Sequence, residues 1–287
     1  MTGQKFPGKV CVEMKKFRGY YFRHQNAQST VALIPGATDE GAFIQVITDG
    51  GSRRFDFPEA EFGQTVRIGE NTFGKDGVHI SLPGIVGDIR YSGLTPIKYD
   101  IMGPFRFFPM ECRHEIVSMR HSLSGSIEAD GKRYCFDGGT GYWEGDSGRS
   151  FPKEYLWIQA NDFADGSSFV LSVARIPFCG LHFQGVICVL MAGGAEYRLA
   201  TYLGAKASVG EKSFIVRQHD LLLQGEIISV GEGCSLAAPE KGRLQGMIKE
   251  DNRAEVHIRL CRGESVICDL TSHIAGYERY PSAWTRI

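Results

Sequence analysis

The stretch GYWEGDSGRSFPKEYLWIQANDF, residues 141–163, lies in the middle of the chain and is the basis for interpreting the rest. It holds two of the three tryptophans and two closely spaced acids, Glu144 and Asp146. A turn rich in Gly, Ser and Arg follows, and Pro152 leads into an aromatic segment with polar residues at alternate positions. Carboxyl groups beside aromatic rings suggest proton chemistry on an apolar molecule, although acids in a turn also cap backbone N–H groups.

Composition and charge limit the classes of protein to which the chain can belong. The 287 residues are 43% hydrophobic and 23% charged, which predicts an ordered chain with one large domain or two ordinary ones. The net charge of −1 argues against nucleic acid as a partner. No run of 18 apolar residues occurs and the first residues lack an apolar signal segment, so we expect a cytoplasmic or plastid-like location and no transmembrane helix.

Eight cysteines are scattered through the chain and none forms a CxxC pair. In the cytoplasm they are expected to be reduced and mostly buried. The nearest approach to a metal-binding pattern is Cys179, His182 and Cys188, which lacks a second close pair of ligands, so we predict no metal site. Motifs of nucleotide-binding loops, zinc proteases and serine hydrolases are absent, and no cofactor is expected.

Short runs rich in Val, Ile, Phe and Tyr alternate with Gly, Asp and Asn along the whole chain, which predicts an all-β protein. Residues 42–57, 213–227 and 254–270 are predicted to form hairpins, the last turning at Arg262 and Gly263. One short helix is expected near residues 58–62, where Pro58 would occupy the first turn.

An internal repeat supports this fold class. Tyr20, Phe22 and Asn26 match Tyr155, Trp157 and Asn161, and a Gly-Tyr pair at 141–142 recurs at 276–277. Residues 44–51 match 187–194 at a spacing eight residues longer, which places an insertion around residues 176–181. We therefore predict two tandem lipocalin-like β-barrel domains, 1–147 and 148–287, with a ligand site near their junction.

In a strand over residues 155–163, Tyr155, Trp157, Gln159 and Asn161 share one face, and Leu156, Ile158 and Ala160 share the other. The mixed face suits the wall of a pocket for an apolar ligand with a polar head. A solvent-exposed face, or an interior in which the amides are satisfied by hydrogen bonds, is the alternative.

Tyr142, Glu144 and Asp146 also alternate and are expected on one face of a strand. Two carboxyls so close together, among aromatic rings, should raise the pKa of one of them, so that it can act as a general acid. The alternative is a turn in which both acids accept backbone hydrogen bonds.

Glu111, Arg113 and His114 form a third candidate group. In an extended segment Glu111 and Arg113 share a face, where Arg113 could orient a carboxylate and His114 could carry a proton. A structural salt bridge is the common alternative. Residues 103–109, just before this group, place three phenylalanines between two prolines. This segment is interpreted as a lip over the pocket, a membrane-facing patch or a plug at one end of a barrel.

Together these stretches resemble the tocopherol cyclase-like family. The resemblance rests on residues 141–163 and on FRGYYFRHQN (17–26), PIKYDIMGPFRFFPMECRH (96–114) and EYRLATYLG (196–204). One departure is Ser147, at a position where the family usually has an aromatic residue. If that ring lines the site, the pocket here is wider or the activity is altered.

The resemblance implies two lipocalin-like domains and a reaction in which a prenyl double bond is protonated and a phenol oxygen attacks the resulting cation. That reaction needs an acid and aromatic walls but no metal or cofactor. The resemblance assigns the acid to Glu144 or Asp146, and the proton-handling or orienting group to His114, Glu111 and Arg113. The aromatic walls would be Trp143, Trp157 and Tyr142. The alternatives are a non-catalytic carrier of an apolar ligand, and a hydratase or isomerase of an isoprenoid double bond.

Overall fold

The computed structural model describes residues 16–178 and 180–281, which form two antiparallel sheets. The first sheet has 12 strands in the order β4-β3-β2-β1-β12-β10-β9-β8-β7-β6-β5, with β11 beside β10. Its strands are β1 (Phe17–Gln25), β2 (Thr30–Thr38), β3 (Gly41–Thr48), β4 (Gly51–Phe57), β5 (Glu61–Phe62), β6 (Thr65–Ile68), β7 (Asn71–Gly74), β8 (Gly77–Leu82), β9 (Ile85–Ser92), β10 (Cys112–Ala129), β11 (Lys132–Cys135) and β12 (Thr140–Gly148).

The second sheet has 10 strands in the order β16-β15-β14-β13-β22-β21-β19-β18-β17, with β20 beside β21. Its strands are β13 (Tyr155–Ala160), β14 (Ser168–Phe178), β15 (Leu181–Ala192), β16 (Ala195–Ala200), β17 (Lys206–Val209), β18 (Ser213–Gln218), β19 (Leu221–Ser229), β20 (Cys234–Glu240), β21 (Arg243–Arg262) and β22 (Ser265–Tyr280). Two short 3-10 helices, Gly103–Phe107 and Thr201–Leu203, lie between strands.

The all-β prediction and the three predicted hairpins are confirmed, since β3 pairs with β4, β18 with β19 and β21 with β22. The helix expected near residues 58–62 is wrong. Glu61 and Phe62 instead form strand β5, which pairs with β6, and Phe62 packs against the apolar core of the first sheet. Packing of this ring outweighs the weak helix signal of one proline followed by acids.

The internal repeat is a repeat of topology. In each sheet the first strand lies between the second and the last, as β1 does between β2 and β12 and β13 does between β14 and β22. The β14–β15 hairpin, with strands of 11 and 12 residues, is longer than β2–β3, with 9 and 8, as the predicted insertion requires. The change from one sheet to the other lies between Gly148 and Tyr155. The division into domains 1–147 and 148–287 stays a prediction.

Three apolar clusters hold the molecule together. One lies inside each sheet, and the third lies between the sheets and takes side chains from both. Burying one large apolar side chain stabilises the fold by about 1.5–3 kcal/mol, so this shared layer couples the sheets strongly. Its buried aromatic members are Tyr21, Tyr142, Tyr155 and Trp157.

Of the six cysteines within the described residues, only Cys188 is buried, so the expected burial of most cysteines is wrong. The strands that carry the others are partly open to solvent. Cys179, part of the weak metal pattern, lies outside the described residues. Across residues 16–178 and 180–281, no helix has both the length and the apolar character needed to span a membrane.

Candidate active site

A cavity lies between the two sheets and is lined by residues of both. The space between its walls together with its open mouth amounts to about 1330 Å³, and most of its wall is aromatic or aliphatic. Such a wall suits a largely apolar ligand. The imidazole and carboxyl groups that line it are those of His114, Glu144, Asp146 and Glu278.

His114 lies between two acids at the wall that the first sheet provides. It is the direct neighbour of Asp146 across β10 and β12, and its Nδ1 is 3.0 Å from an Asp146 oxygen. Its Nε2 lies 3.3 Å from a Glu144 oxygen. The same Glu144 oxygen accepts hydrogen bonds from the Tyr142 hydroxyl at 2.5 Å and from the Trp157 ring nitrogen at 3.3 Å. We call His114, Glu144 and Asp146 the histidine cluster.

The histidine cluster holds a proton. Burial alone would lower the pKa of His114, but the charges of Glu144 and Asp146 and the hydrogen bonds to them raise it well above the usual 6.5. The imidazole is therefore positively charged at neutral pH and is flanked by two acids. The general-acid role of Glu144 or Asp146 stays a prediction, and the group of this cluster whose pKa is raised is His114.

The histidine cluster also has the donor set of a metal site, since ligand atoms from its three residues lie within 4.8 Å of one another. Imidazole and carboxylate groups bind zinc and similar ions. A metal would, however, have to displace the His114 proton and compete with the hydrogen bonds that Glu144 accepts. The hydrogen bonds that Glu144 accepts suit a site that handles protons, and the same three residues are the ones that would hold a metal ion.

A second acidic pair, Glu250 and Glu278, was missed by the sequence reasoning. The two glutamates are direct neighbours across β21 and β22. The Tyr21 hydroxyl donates a hydrogen bond to Glu250, and the Tyr155 hydroxyl donates one to Glu278 at 2.6 Å. Glu250 is almost fully buried, and Glu278 lines the cavity in front of it. We call these two residues the glutamate pair.

The repeat contained a signal for this pair. The Gly-Tyr at 141–142 is followed by Glu144, and the Gly-Tyr at 276–277 is followed directly by Glu278. Strands β12 and β22 are each the last strand of their sheet along the chain, and both carry a glutamate that lines the same cavity. Comparing the residues after each Gly-Tyr would have placed Glu278 beside Glu144 as a candidate.

Six residues predicted for the site do not line the cavity: Glu111, Arg113, Tyr142, Trp143, Gln159 and Asn161. Tyr142 lies in the buried layer between the sheets, where its hydroxyl donates to Glu144. Trp143 is on the opposite face of β12, where its ring stacks on Phe22 at 4.7 Å in the core of the first sheet. Arg113 is exposed and donates to the backbone carbonyl of Arg106 rather than reaching a cavity carboxylate. Glu111 is half-buried, and its backbone carbonyl accepts from the Arg149 amide. Strand alternation turns His114 toward the cavity and Arg113 away from it.

The polar face of β13 divides into two parts. Trp157 and Tyr155 line the cavity. Gln159 accepts a hydrogen bond from Arg23 at 3.0 Å, and Asn161 accepts one from Gln25 at 2.5 Å, both in the buried layer between the sheets. Asn161 matches the alternative of an interior amide with satisfied hydrogen bonds, because its nitrogen donates to the carbonyls of Met119 and Gly141. The side-chain nitrogen of Gln159 is buried without a partner among the described residues, and both amides stand outside the cavity wall.

Residues 103–109, which we call the phenylalanine segment, contribute to the cavity wall. Phe105, in the 3-10 helix Gly103–Phe107, lines the cavity and stacks on Phe183 at 5.5 Å. Phe108 contacts Phe178 at 5.9 Å and is 47% exposed, while Phe107 is 77% exposed. The segment and the long β14–β15 hairpin thus place aromatic rings from both sheets next to the cavity.

The model of the tocopherol cyclase-like family matches residues 97–279. The chain belongs to this family. The matched region includes the histidine cluster, the phenylalanine segment and the glutamate pair. No curated protein sequence matches the chain significantly.

Solved structures share the fold of this family member. The structure of CghA with Sch210972 has 10% sequence identity and a TM-score of 0.56, with 94% of this chain and 90% of that chain covered. Kievitone hydratase from Nectria haematococca has 9% identity and a TM-score of 0.52, with 93% and 89% covered. At such low sequence identities the similarity shows a shared fold alone.

Ser147, where the family usually has an aromatic residue, lies on the face of β12 opposite to Glu144 and Asp146. It is not among the residues that line the cavity. The serine therefore does not widen this pocket. A wider pocket was expected only if this position lined the site.

Proposed function

We propose that the protein is an enzyme that closes a ring in a prenylated hydroquinone-type lipophile by acid catalysis. Membership of a cyclase-like family supports an enzyme of the cyclase or hydratase type. The observation that carries the proposal is an apolar, aromatic cavity whose wall holds acids and a histidine that can exchange protons with a bound molecule. Protonating an isolated double bond creates a carbocation, which needs a largely dry site and the π faces of aromatic rings.

The histidine cluster is suited to the phenol end of such a substrate. With a positive His114 between Glu144 and Asp146, it carries excess negative charge when both acids are ionised. It can accept a hydrogen bond from the phenol, take its proton as the oxygen attacks, and stabilise the nearby cation. Tyr21, Tyr155 and Trp157 supply the aromatic wall.

We further propose that the substrate enters from a lipid surface. Phe107 and Leu181 are 77% and 75% exposed, and each lies two positions along the chain from a ring of the cavity wall, Phe105 and Phe183. Exposed rings of this kind insert into the boundary layer of a bilayer, and the Arg106 guanidinium, 4.6 Å from the Phe107 ring, would favour anionic headgroups. A lipophile dissolved in the bilayer could then reach the cavity without crossing water.

A hydratase acting on an isoprenoid double bond is the second candidate. Part of the cavity is open to solvent, so water could capture the cation in place of the phenol oxygen. A carrier without chemistry is the third, and it would leave the proton-holding groups without a task.

Incubation with a prenylated hydroquinone in D₂O separates the three. A cyclase yields a product with one phenol fewer and one non-exchangeable deuterium on the former prenyl chain, seen by chromatography, mass spectrometry and NMR. A hydratase adds the elements of water to the double bond and leaves the phenols intact, and a carrier returns the substrate unchanged. Glu144→Gln and Asp146→Asn should each lower the rate about 100-fold. Full activity in both variants would refute the role of the histidine cluster.

A further inference from the structure

The cavity has proton-holding groups on two opposing walls. The histidine cluster belongs to β10 and β12 of the first sheet, and the glutamate pair belongs to β21 and β22 of the second. Glu278 and the histidine cluster both line the cavity, so a molecule that fills it can contact both groups. A reaction that adds a proton at one atom and removes one at another needs such a pair of groups.

The contacts of the glutamate pair favour a shared proton. Glu250 and Glu278 face each other across β21 and β22, and one buried oxygen of Glu250 has no hydrogen-bond partner among the described residues. Burying a charged carboxylate oxygen without a donor is costly, and a proton on Glu278 would supply that donor. The hydroxyls of Tyr21 and Tyr155 each donate to one member, so the remaining negative charge is also held.

The electrostatics agree with this geometry. Burial raises the pKa of Glu250 to about 7, and burial together with the charge of Glu250 raises the pKa of Glu278 well above its usual range. The pair therefore keeps a proton at neutral pH. The charged and titratable groups that face it from the neighbouring strands are Tyr21 and Arg23 on β1, Glu144 and Asp146 on β12, Tyr155 on β13 and Cys234 on β20.

We propose that Glu278 donates the proton to the double bond of the substrate and that Glu250 positions it; this rests on the proposed function. The π electrons of the double bond form the new C–H bond with the Glu278 proton, which leaves a cation on the more substituted carbon. A lone pair of the phenol oxygen forms the C–O bond, and the phenol proton passes to the histidine cluster. Glu278 regains a proton from solvent and the cluster releases one, so the net reaction is an isomerisation.

Infrared spectroscopy tests the proton without any substrate. The wild-type protein should show the carbonyl band of a protonated carboxyl at neutral pH, and Glu278→Gln and Glu250→Gln should each lose it. Glu154→Gln is the matched control, because Glu154 is also buried but lies 3.6 Å from the Arg175 guanidinium. Absence of the band in the wild type, or its persistence in both glutamine variants, would overturn the proposal.

Turnover tests the role. Glu278→Gln should lower kcat about 100-fold or more while the affinity for an apolar ligand stays within about threefold, and deuterium uptake from D₂O should fall in parallel. Circular dichroism and thermal melting confirm that the variant is folded. Full turnover in this variant would overturn the assignment. If the wild type shows the infrared band but closes no ring, the proposed function fails while the protonated pair stands.

The Tyr155→Phe variant tests proton donation by Glu278 through the pH profile of kcat, which would not shift if Glu278 had only a structural role. The hydroxyl of Tyr155 lowers the pKa of Glu278 by hydrogen bonding to its charged form, so its removal should raise that pKa further. The limb of the kcat profile that depends on protonated Glu278 should then shift to higher pH. An unshifted profile in an active variant contradicts proton donation by Glu278.

Discussion

At the scale of single residues, His114 links the two acids of the first sheet. Its ring nitrogens lie 3.0 Å from Asp146 and 3.3 Å from Glu144, and its side chain is only 12% exposed. A buried ion pair is costly to break, because the groups left behind remain charged and poorly solvated. The histidine is therefore expected to matter for stability as well as for chemistry.

His114→Gln should lower the free energy of unfolding by about 3 kcal/mol near neutral pH. Because the pKa of His114 is raised in the folded state, its contribution is fully present below about 6.5, the usual pKa, and is lost as pH rises through the raised folded pKa. The gap between wild type and variant, measured by urea denaturation over a pH series, should narrow at high pH.

The control for this prediction is His79→Gln, since His79 forms an exposed pair with Asp88. Exposed pairs contribute little, so its effect should stay within about 0.5 kcal/mol. A gap for His114→Gln that is equally small, or that does not change with pH, contradicts the ion-paired histidine.

At the scale of elements, the β14–β15 hairpin and the 3-10 helix Gly103–Phe107 form one aromatic rim from two sheets. Phe105 contacts Phe183 and Phe108 contacts Phe178, so the rim joins parts of the chain that are 78 and 70 residues apart. The hairpin has the extra length that the repeat predicted. Its extension gives the rim an exposed apolar tip at Leu181.

The double variant Phe107→Ser and Leu181→Ser should bind anionic vesicles at least tenfold more weakly, because each apolar side chain contributes about 1.5–3 kcal/mol when buried. Turnover of a vesicle-dissolved substrate should fall, while turnover of a short-chain substrate dissolved in water should not. Vesicle sedimentation and both assays check this.

The control for the rim is the double variant Val86→Ser and Val266→Ser, which removes two apolar side chains that are 51% and 47% exposed on β9 and β22. It should bind vesicles as the wild type does. Equal loss of binding in the two double variants, or none in either, argues against the rim as the membrane surface.

At the scale of the whole molecule, one buried arginine joins the sheets. Arg23 of the first sheet is 1% exposed, and its guanidinium donates to the backbone carbonyls of Asn252 at 2.6 Å and Ile274 at 2.5 Å, and to Gln159 at 3.0 Å. All three acceptors belong to the second half of the chain. The arginine supports the glutamate pair as well, because its charge acts on Glu250.

Arg23→Met should lower the free energy of unfolding by about 3 kcal/mol, because each buried acceptor left without a donor costs about 1–3 kcal/mol. Denaturation followed by tryptophan fluorescence measures it. Arg54→Met is the control, since Arg54 pairs with Asp56 on the surface and its loss should cost less than about 0.5 kcal/mol. Similar stabilities for the two variants would show that Arg23 does not join the sheets.

The sequence match of the repeat has a limit that appears at this scale. Tyr20 and Phe22 pack inside the first sheet, whereas their matched residues Tyr155 and Trp157 face the layer between the sheets. In a strand, a shift of one residue exchanges the faces. The repeat therefore predicted the order of the strands but not which side chains are equivalent.

Local patterns in the sequence determined the strands, the three hairpins and the shared face of Tyr142, Glu144 and Asp146, because alternation and turn residues act over a few positions. Only the tertiary structure decided that His114 meets those acids and that Glu250 faces Glu278. All six residues of β13 are buried, and so are most residues of β1. Because both faces of these strands are buried, the polar or apolar character of their residues does not show which face packs in the core of its own sheet and which faces the other sheet. That choice depends on how the sheets pack, and it set which side chains share the cavity.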